Sequence, residues 1–301
     1  MAAWRVPFPD EVVRRLDILP GKPSLLAVWT QSGRVCFFDV ATGERLVERA
    51  FGSLPAGDAH SDAGRRFLAR AKAPNDSLLP VVYAAGATVY FSFDGRMRLL
   101  HAGGALTFEA DGGQTPLPVA ADVRLAAVAL ERLLGLVAAV DAAGRLHLFE
   151  KGALIGAFDL GLTLGKELHP AVAVAEGGAA LFATDGQRVV VADFGGRVRR
   201  QLALNFHAAS LVCSADGRLL AVGDSETGVI RVYDGVTLTP EYQQFASDLM
   251  ADARRAGPAR EIGVPTALGA LAISNRGTLA FALAGSVCVT TVGRMRPLAR
   301  D

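Results

Sequence analysis

Ser214-Ala-Asp-Gly-Arg-Leu-Leu-Ala-Val-Gly-Asp224, continued by Gly228-Val-Ile-Arg-Val-Tyr-Asp234, decides the fold. It reads as turn, strand, turn, strand. Asp216-Gly217 supplies a tight turn, because Asp bonds its own backbone and Gly accepts φ above zero. Residues 219–222 form a short buried strand, 229–233 the next, and Asp234-Gly235 ends it. Weaker copies recur. Leu25-Leu-Ala-Val-Trp-Thr30 precedes Gly33-Arg-Val-Cys-Phe-Phe-Asp-Val-Ala-Thr-Gly-Glu44, and the same pairing recurs at 79–84 with 87–94, 134–140 with 144–149, 179–183 with 187–193 and 278–283 with 286–291.

Each of these strand pairs is flanked by an earlier strand (123–130, 171–175, 208–213, 268–273) or a later one (45–49, 97–100, 154–160, 198–204). Four strands per unit, repeated at roughly 50 residues, is the pattern of a propeller blade. The connections are too short for crossover helices, so parallel α/β units are unsuited. The expectation is an all-β chain: a single β-propeller domain over residues 1–301, built of four-stranded antiparallel blades. Six units are legible. A seventh stays open over 105–119, where Leu106-Thr-Phe-Glu109 is strand-like but the segment is short for four strands. Trp4-Arg5-Val6 is a short strand ahead of the first unit, expected to complete the last blade and leave no open edge at the seam.

These stretches carry a resemblance to the WD40-like propeller family. The specific part lies in 214–223 with Ile230-Arg-Val-Tyr-Asp234, and in Val35-Cys-Phe-Phe-Asp-Val-Ala-Thr-Gly-Glu44. The sequence departs from the family in two ways. The aromatic-acid slot holds Phe38-Asp39, Phe149-Glu150 and Tyr233-Asp234 rather than Trp-Asp, and the Gly-His pair is missing. His169 and His207 stand roughly where that histidine would. The resemblance therefore implies buried structural hydrogen bonds between His207 and Asp224, and between His169 and Asp185. It also implies a protein-interaction scaffold or adaptor subunit, not a catalyst.

Composition narrows the remaining classes. Half of the 301 residues are hydrophobic and a fifth charged, which excludes wholesale disorder. Basic and acidic residues balance at 31 to 30, without the excess that phosphate neutralisation requires, so no nucleic-acid partner is expected. Of the basic residues only Lys22, Lys72, Lys151 and Lys166 are lysines, a compositional bias with no function attached. Cys36, Cys213 and Cys288 are far apart, odd in number and without CxxC, which fits free thiols in a reducing cytoplasm. The uncharged stretch 277–293 is divided by Gly285-Ser286 and is rich in β-branched residues. Two buried strands suit it better than a membrane span.

The longest gap carries a helix signal over 239–257, with Thr239 and Pro240 at its start, Arg254 and Arg255 in its last turn and Gly257 after it. At helical spacing Tyr242, Phe245, Leu249 and Met250 share one apolar face. That inserted amphipathic helix either packs on the propeller itself or offers a partner-binding face. The chemistry of an enzyme is harder to find. His60, His101, His147, His169 and His207 show no metal-ligand spacing, and no Gly-x-Ser-x-Gly, GxGxxG or P-loop occurs. His147, between Leu146 and Leu148, reads as a satisfied strand residue. Arg197, Arg199 and Arg200 read as a solvated strand edge, or as a site for an anionic partner. The expectation is thus a non-catalytic scaffold with protein partners, no cofactor, no metal and no membrane. The competing class is a propeller hydrolase of the lactonase kind, with polar groups converging on a central channel.

Overall fold

The computed structural model describes residues 3–9, 11–19, 22, 24–30, 34–50, 79–82, 88–91, 97–102, 105–110, 113–120, 123–131, 136–164, 170–175, 180–224, 226–255, 268–283 and 285–292. After β1 (Trp4–Pro7) comes a first sheet of β2 (Val13–Leu19), β3 (Leu25–Thr30), β4 (Arg34–Asp39) and β5 (Arg45–Ala50). The second has β6 (Leu79–Val82), β7 (Thr88–Phe91), β8 (Met97–Ala102), β9 (Ala105–Ala110) and β10 (Gly113–Leu117). The third has β11 (Leu125–Glu131), β12 (Leu136–Asp141), β13 (Arg145–Glu150) and β14 (Ala153–Asp159). The fourth has β15 (Ala171–Val174), β16 (Leu181–Thr184), β17 (Arg188–Ala192) and β18 (Val198–Ala203). The fifth has β19 (Ala208–Cys213), β20 (Leu219–Asp224), β21 (Val229–Asp234) and β22 (Pro240–Phe245). Helix α1 (Ala246–Asp252) and β23 (Arg254–Arg255) lead into β24 (Leu268–Ile273), β25 (Thr278–Leu283) and β26 (Ser286–Thr291).

Among the described residues these make six all-β sheets, antiparallel throughout except where β23 runs parallel to β1. Four have four strands; the second and last have five. The segment left open as a seventh unit supplies β9 and β10, the outer strands of the second sheet. In the last sheet β1 lies between β23 and β26, with Trp4 opposite Val289 and Pro7 opposite Ser286. The uncharged stretch near the C-terminus is the hairpin of β25 and β26. No helix among the described residues is long and apolar enough to cross a membrane.

The chain divides into two compact units, Met1–Gly52 with Asn205–Asp301, and Ser53–Leu204. In the first, one apolar cluster joins the first and last sheets through Leu26, Phe38, Ala280 and Val289. A second joins the fifth and last sheets through Val232, Tyr242 and Phe281. In the second unit, Leu146, Leu148, Leu181 and Val190 join the third and fourth sheets. The middle strands are covered on both faces, so they read as continuous apolar runs rather than alternations: β12 and β16 are buried at every position. Ala27, Ala138, Ala183, Ala221 and Ala280, all fully buried, let neighbouring sheets approach closely. Trp4 fixes β1 by donating its indole N–H to the Val40 carbonyl at 2.8 Å. Its ring lies where a side chain on Gly43 would be, 2.8 Å from the nearest ring atom, and Gly43 has φ of +77°.

The helix read over 239–257 is shorter. Residues 240–245 are the outer strand of the fifth sheet, and only Ala246–Asp252 is helical, starting after Phe245 with no side-chain cap and ending at Ala253. Proline is tolerated at the first position of an edge strand as well as of a helix. Strand alternation then buries Tyr242 while Glu241, Gln243 and Phe245 stay out.

Candidate interaction surface

The carboxylates of the middle strands are committed to their own turns. Asp141 ends β12 and accepts N–H groups of Ala143 at 2.9 Å and Arg145 at 3.0 Å, and its other oxygen meets His147 Nε2 at 2.7 Å. Burial alone would raise this carboxyl; the His147 bond and the two backbone donors outweigh it and hold it below its usual value. Asp185 directly follows β16 and accepts from Thr163, Gln187 and Arg188 N–H groups and from the Arg188 guanidinium. These donors likewise outweigh burial and lower its pKa. Asp224 ends β20 and accepts from Glu226 N–H at 2.8 Å and the Thr227 hydroxyl at 2.6 Å. One turn further on, Asp39, Asp193 and Asp234 each accept two N–H groups of the turn into the outer strand.

The candidate histidines divide. His169 lies outside the described residues. His207 is exposed, whereas Asp224 and Asp185 are buried within the turns just described. The buried His–Asp pair of the described residues is Asp141 with His147, inside one hairpin of the third sheet. The spacing of six across a four-residue turn was the available signal. Arg15 and Asp17, buried together on β2, form a further ion pair. Among the described residues no group of three or more His, Cys, Asp or Glu side chains could hold a metal.

The four residues offered as a partner-binding face do not form one. Tyr242, Leu249 and Met250 are buried in the cluster with Phe281 and Cys288; Phe245 is 49% exposed and points the other way. The surface with unclaimed features is the set of outer strands. In each four-stranded sheet the ladder into the outer strand slips by one residue, leaving Leu46, Ile155, Arg199 or Glu241 as the extra residue of a bulge. β5 carries Arg45 and Glu48, paired at 2.7 Å. β18 carries Arg199 and Arg200, and with residues 159–161 it walls an open groove of about 720 Å³. Arg199 leans toward Asp193 at 3.4 Å. β22 starts with Pro240 and Glu241. β14, from Ala153 to Phe158, has no charge and no proline, and exposes Leu154 and Ile155 by 42% and 45%.

Six sheets of short antiparallel strands, turns locked by Asp and an N-terminal strand paired into the last sheet define a WD40-like β-propeller fold. Solved structures agree. The chain is similar to the β-propeller domain of Cps50 (Swd1) from Myceliophteria thermophila, with a TM-score of 0.61, 12% identity and coverage of 93% of this chain and 97% of that one. It is also similar to Raptor from Chaetomium thermophilum, with a TM-score of 0.63, 12% identity and coverage of 98% of this chain and 29% of that one. At that identity the likeness concerns the fold alone. No protein-family model and no curated protein sequence matches the chain.

Proposed function

We propose that the chain is a non-catalytic WD40-like propeller that acts as an interaction scaffold or adaptor subunit for protein partners. One observation carries this reading. The buried carboxylates at the ends of the middle strands, Asp141, Asp185 and Asp224, already accept two or more hydrogen bonds from their own hairpins or the adjoining loop. A carboxylate so satisfied is a structural clamp rather than a base or ligand awaiting a substrate. Partner contacts then fall to the exposed outer strands and turns, and loop surfaces on a rigid frame are where such contacts are usually carried. The free cysteines, Cys36, Cys213 and Cys288, fit a reducing, cytoplasmic setting.

The test is to isolate the tagged full chain from its native host and cross-link it. A stoichiometric protein partner, cross-linked to outer strands or turns, is the expected result. Two results overturn the reading. One is the lack of any stoichiometric partner. The other is lactone or ester hydrolysis by the purified chain that Asp141→Asn or Asp185→Asn abolishes without unfolding it.

A further inference from the structure

We propose that the groove beside β18 receives an extended acidic segment of a protein partner, its carboxylates on Arg199 and Arg200. The proposal rests on the scaffold reading and gives it a surface and a chemistry. Among the outer strands of the four-stranded sheets, β5 sets Glu48 among its arginines, β22 carries Glu241 and β14 is uncharged until Asp159. β18 alone carries cations without an acid, and Val198, Arg199, Arg200 and Gln201 are all exposed. On a regular strand Arg199 and Arg200 would point to opposite faces. The one-residue slip between Val191 and Ala192 interrupts that alternation, and both arginines line the one groove.

The walls of this groove are fixed before any ligand arrives. On the far side the Gly161 N–H donates to Asp159 at 2.7 Å, and the Arg188 guanidinium donates to the Gly161 carbonyl. Arg188 is in turn held by Asp185. Phe158 packs against Gly196, which ties the end of β14 to the turn that opens β18. Charge then selects the occupant. The lining has two guanidinium groups and one carboxylate, and that carboxylate, Asp159, already caps its own turn. Arg199 leans on Asp193, whose other oxygen accepts the Gly195 and Arg197 N–H groups. The Arg200 guanidinium has no partner among the described residues. Such forks offer paired N–H donors, which carboxylates match. Length points to a peptide: the lining follows four consecutive residues of β18, roughly 13 Å of strand, whereas a small anion needs one enclosed point. Nucleic acid suits it less, since no aromatic residue among the described residues lines the groove for a base to stack on, and the chain carries no basic excess.

The experiment titrates the full chain into a fluorescein-labelled peptide in which Glu alternates with Thr, read by anisotropy. Saturable binding that weakens as salt rises is expected, and the same peptide with Gln in place of Glu does not bind. Arg199→Glu together with Arg200→Glu weakens binding on the order of tenfold or more, while Arg45→Glu on β5 leaves it unchanged. Arg200→Gln, which keeps the Arg199–Asp193 contact, weakens it in the same direction and holds the test open if the double variant misfolds. No saturable binding of the Glu peptide, equal binding of the Gln peptide, binding that survives both arginine variants or an equal loss in the Arg45 variant overturns the proposal. So does a thymidine oligonucleotide that displaces the peptide and binds more tightly, which would assign the groove to nucleic acid. The two readings fail separately: a native partner cross-linked only away from β18 overturns this site alone, whereas the lack of any partner overturns the scaffold reading as well.

Discussion

β14 and β22 occupy the same place in their sheets, each the outer strand past a one-residue bulge, yet their surfaces are opposites. β22 starts with proline and glutamate, buries Tyr242 to 2% and runs straight into α1, whose Ala246, Leu249 and Met250 extend the same cluster. β14 buries none of its positions and leaves Leu154 and Ile155 to solvent. The middle strands β12 and β20 show no such contrast, since both are almost wholly buried. Packing on two faces therefore fixes the inner strands. The outer strand is the position where the sequence is released to do something else.

The comparison breaks most visibly at Tyr242. Tyr242→Ala is expected to cost about 3–5 kcal/mol, read by chemical denaturation, because it empties a fully buried aromatic site. Phe245→Ala, three residues on and half exposed, is expected to stay within about 0.5 kcal/mol. Equal losses would mean that the two residues share a helical face after all.

Next comes the anchor of β14. Gly196, with φ of +75°, faces Phe158 so closely that a Cβ would lie 2.0 Å from the ring. Gly196→Ala should lower stability by at least about 2 kcal/mol, through backbone strain and overlap together. Gly161, at φ of +66° with nothing within 4 Å of a Cβ, meets the strain without the overlap. The alanine variant there should melt measurably higher than Gly196→Ala.

Smaller still is the pH effect at the start of the same hairpin region. Asp141 is held below its ordinary value of 3.8 in the folded chain. Its contribution is complete above that value and is lost as pH falls through the lower, folded one. Asp141→Asn should cost about 1–2 kcal/mol near neutrality and flatten the acid limb of the stability profile, measured by urea midpoints between pH 2 and 6. An unchanged acid limb would remove Asp141 from the account. The least effect is expected from Leu154→Ser, within about 0.5 kcal/mol for the isolated chain. A larger loss would show that the β14 surface is already covered.

How much of this the sequence declares follows from how locally each feature is encoded. The inner hairpins were legible because an Asp-Gly turn between two apolar runs contains its whole instruction within a dozen residues. Residues 240–245 were not, since Thr-Pro-Glu opens a helix or an edge strand equally well, and Tyr242 falls on the inward side under either period. The family resemblance points to a histidine ahead of a first strand, whereas the Asp141–His147 pair joins the end of β12 to the middle of β13 and has no counterpart in that pattern. The bare edge of β14 could be seen only once register showed which strands lie outermost. Alanine, glycine and leucine in a row carry no mark of being an edge.

One pairing has a consequence for how the chain is made. Trp4, opposite Val289, is synthesised long before its strand partner. At roughly 5–20 residues per second, β1 waits on the order of 15–60 s for β26 to be synthesised. During that interval the first sheet holds Phe38 and Val40 without the last sheet's half of their cluster. The closing of this pair is thus timed by translation rather than by the local strength of any hairpin. Slowing synthesis over the last sheet would lengthen the interval in which a nascent chain exposes that apolar face to chaperones.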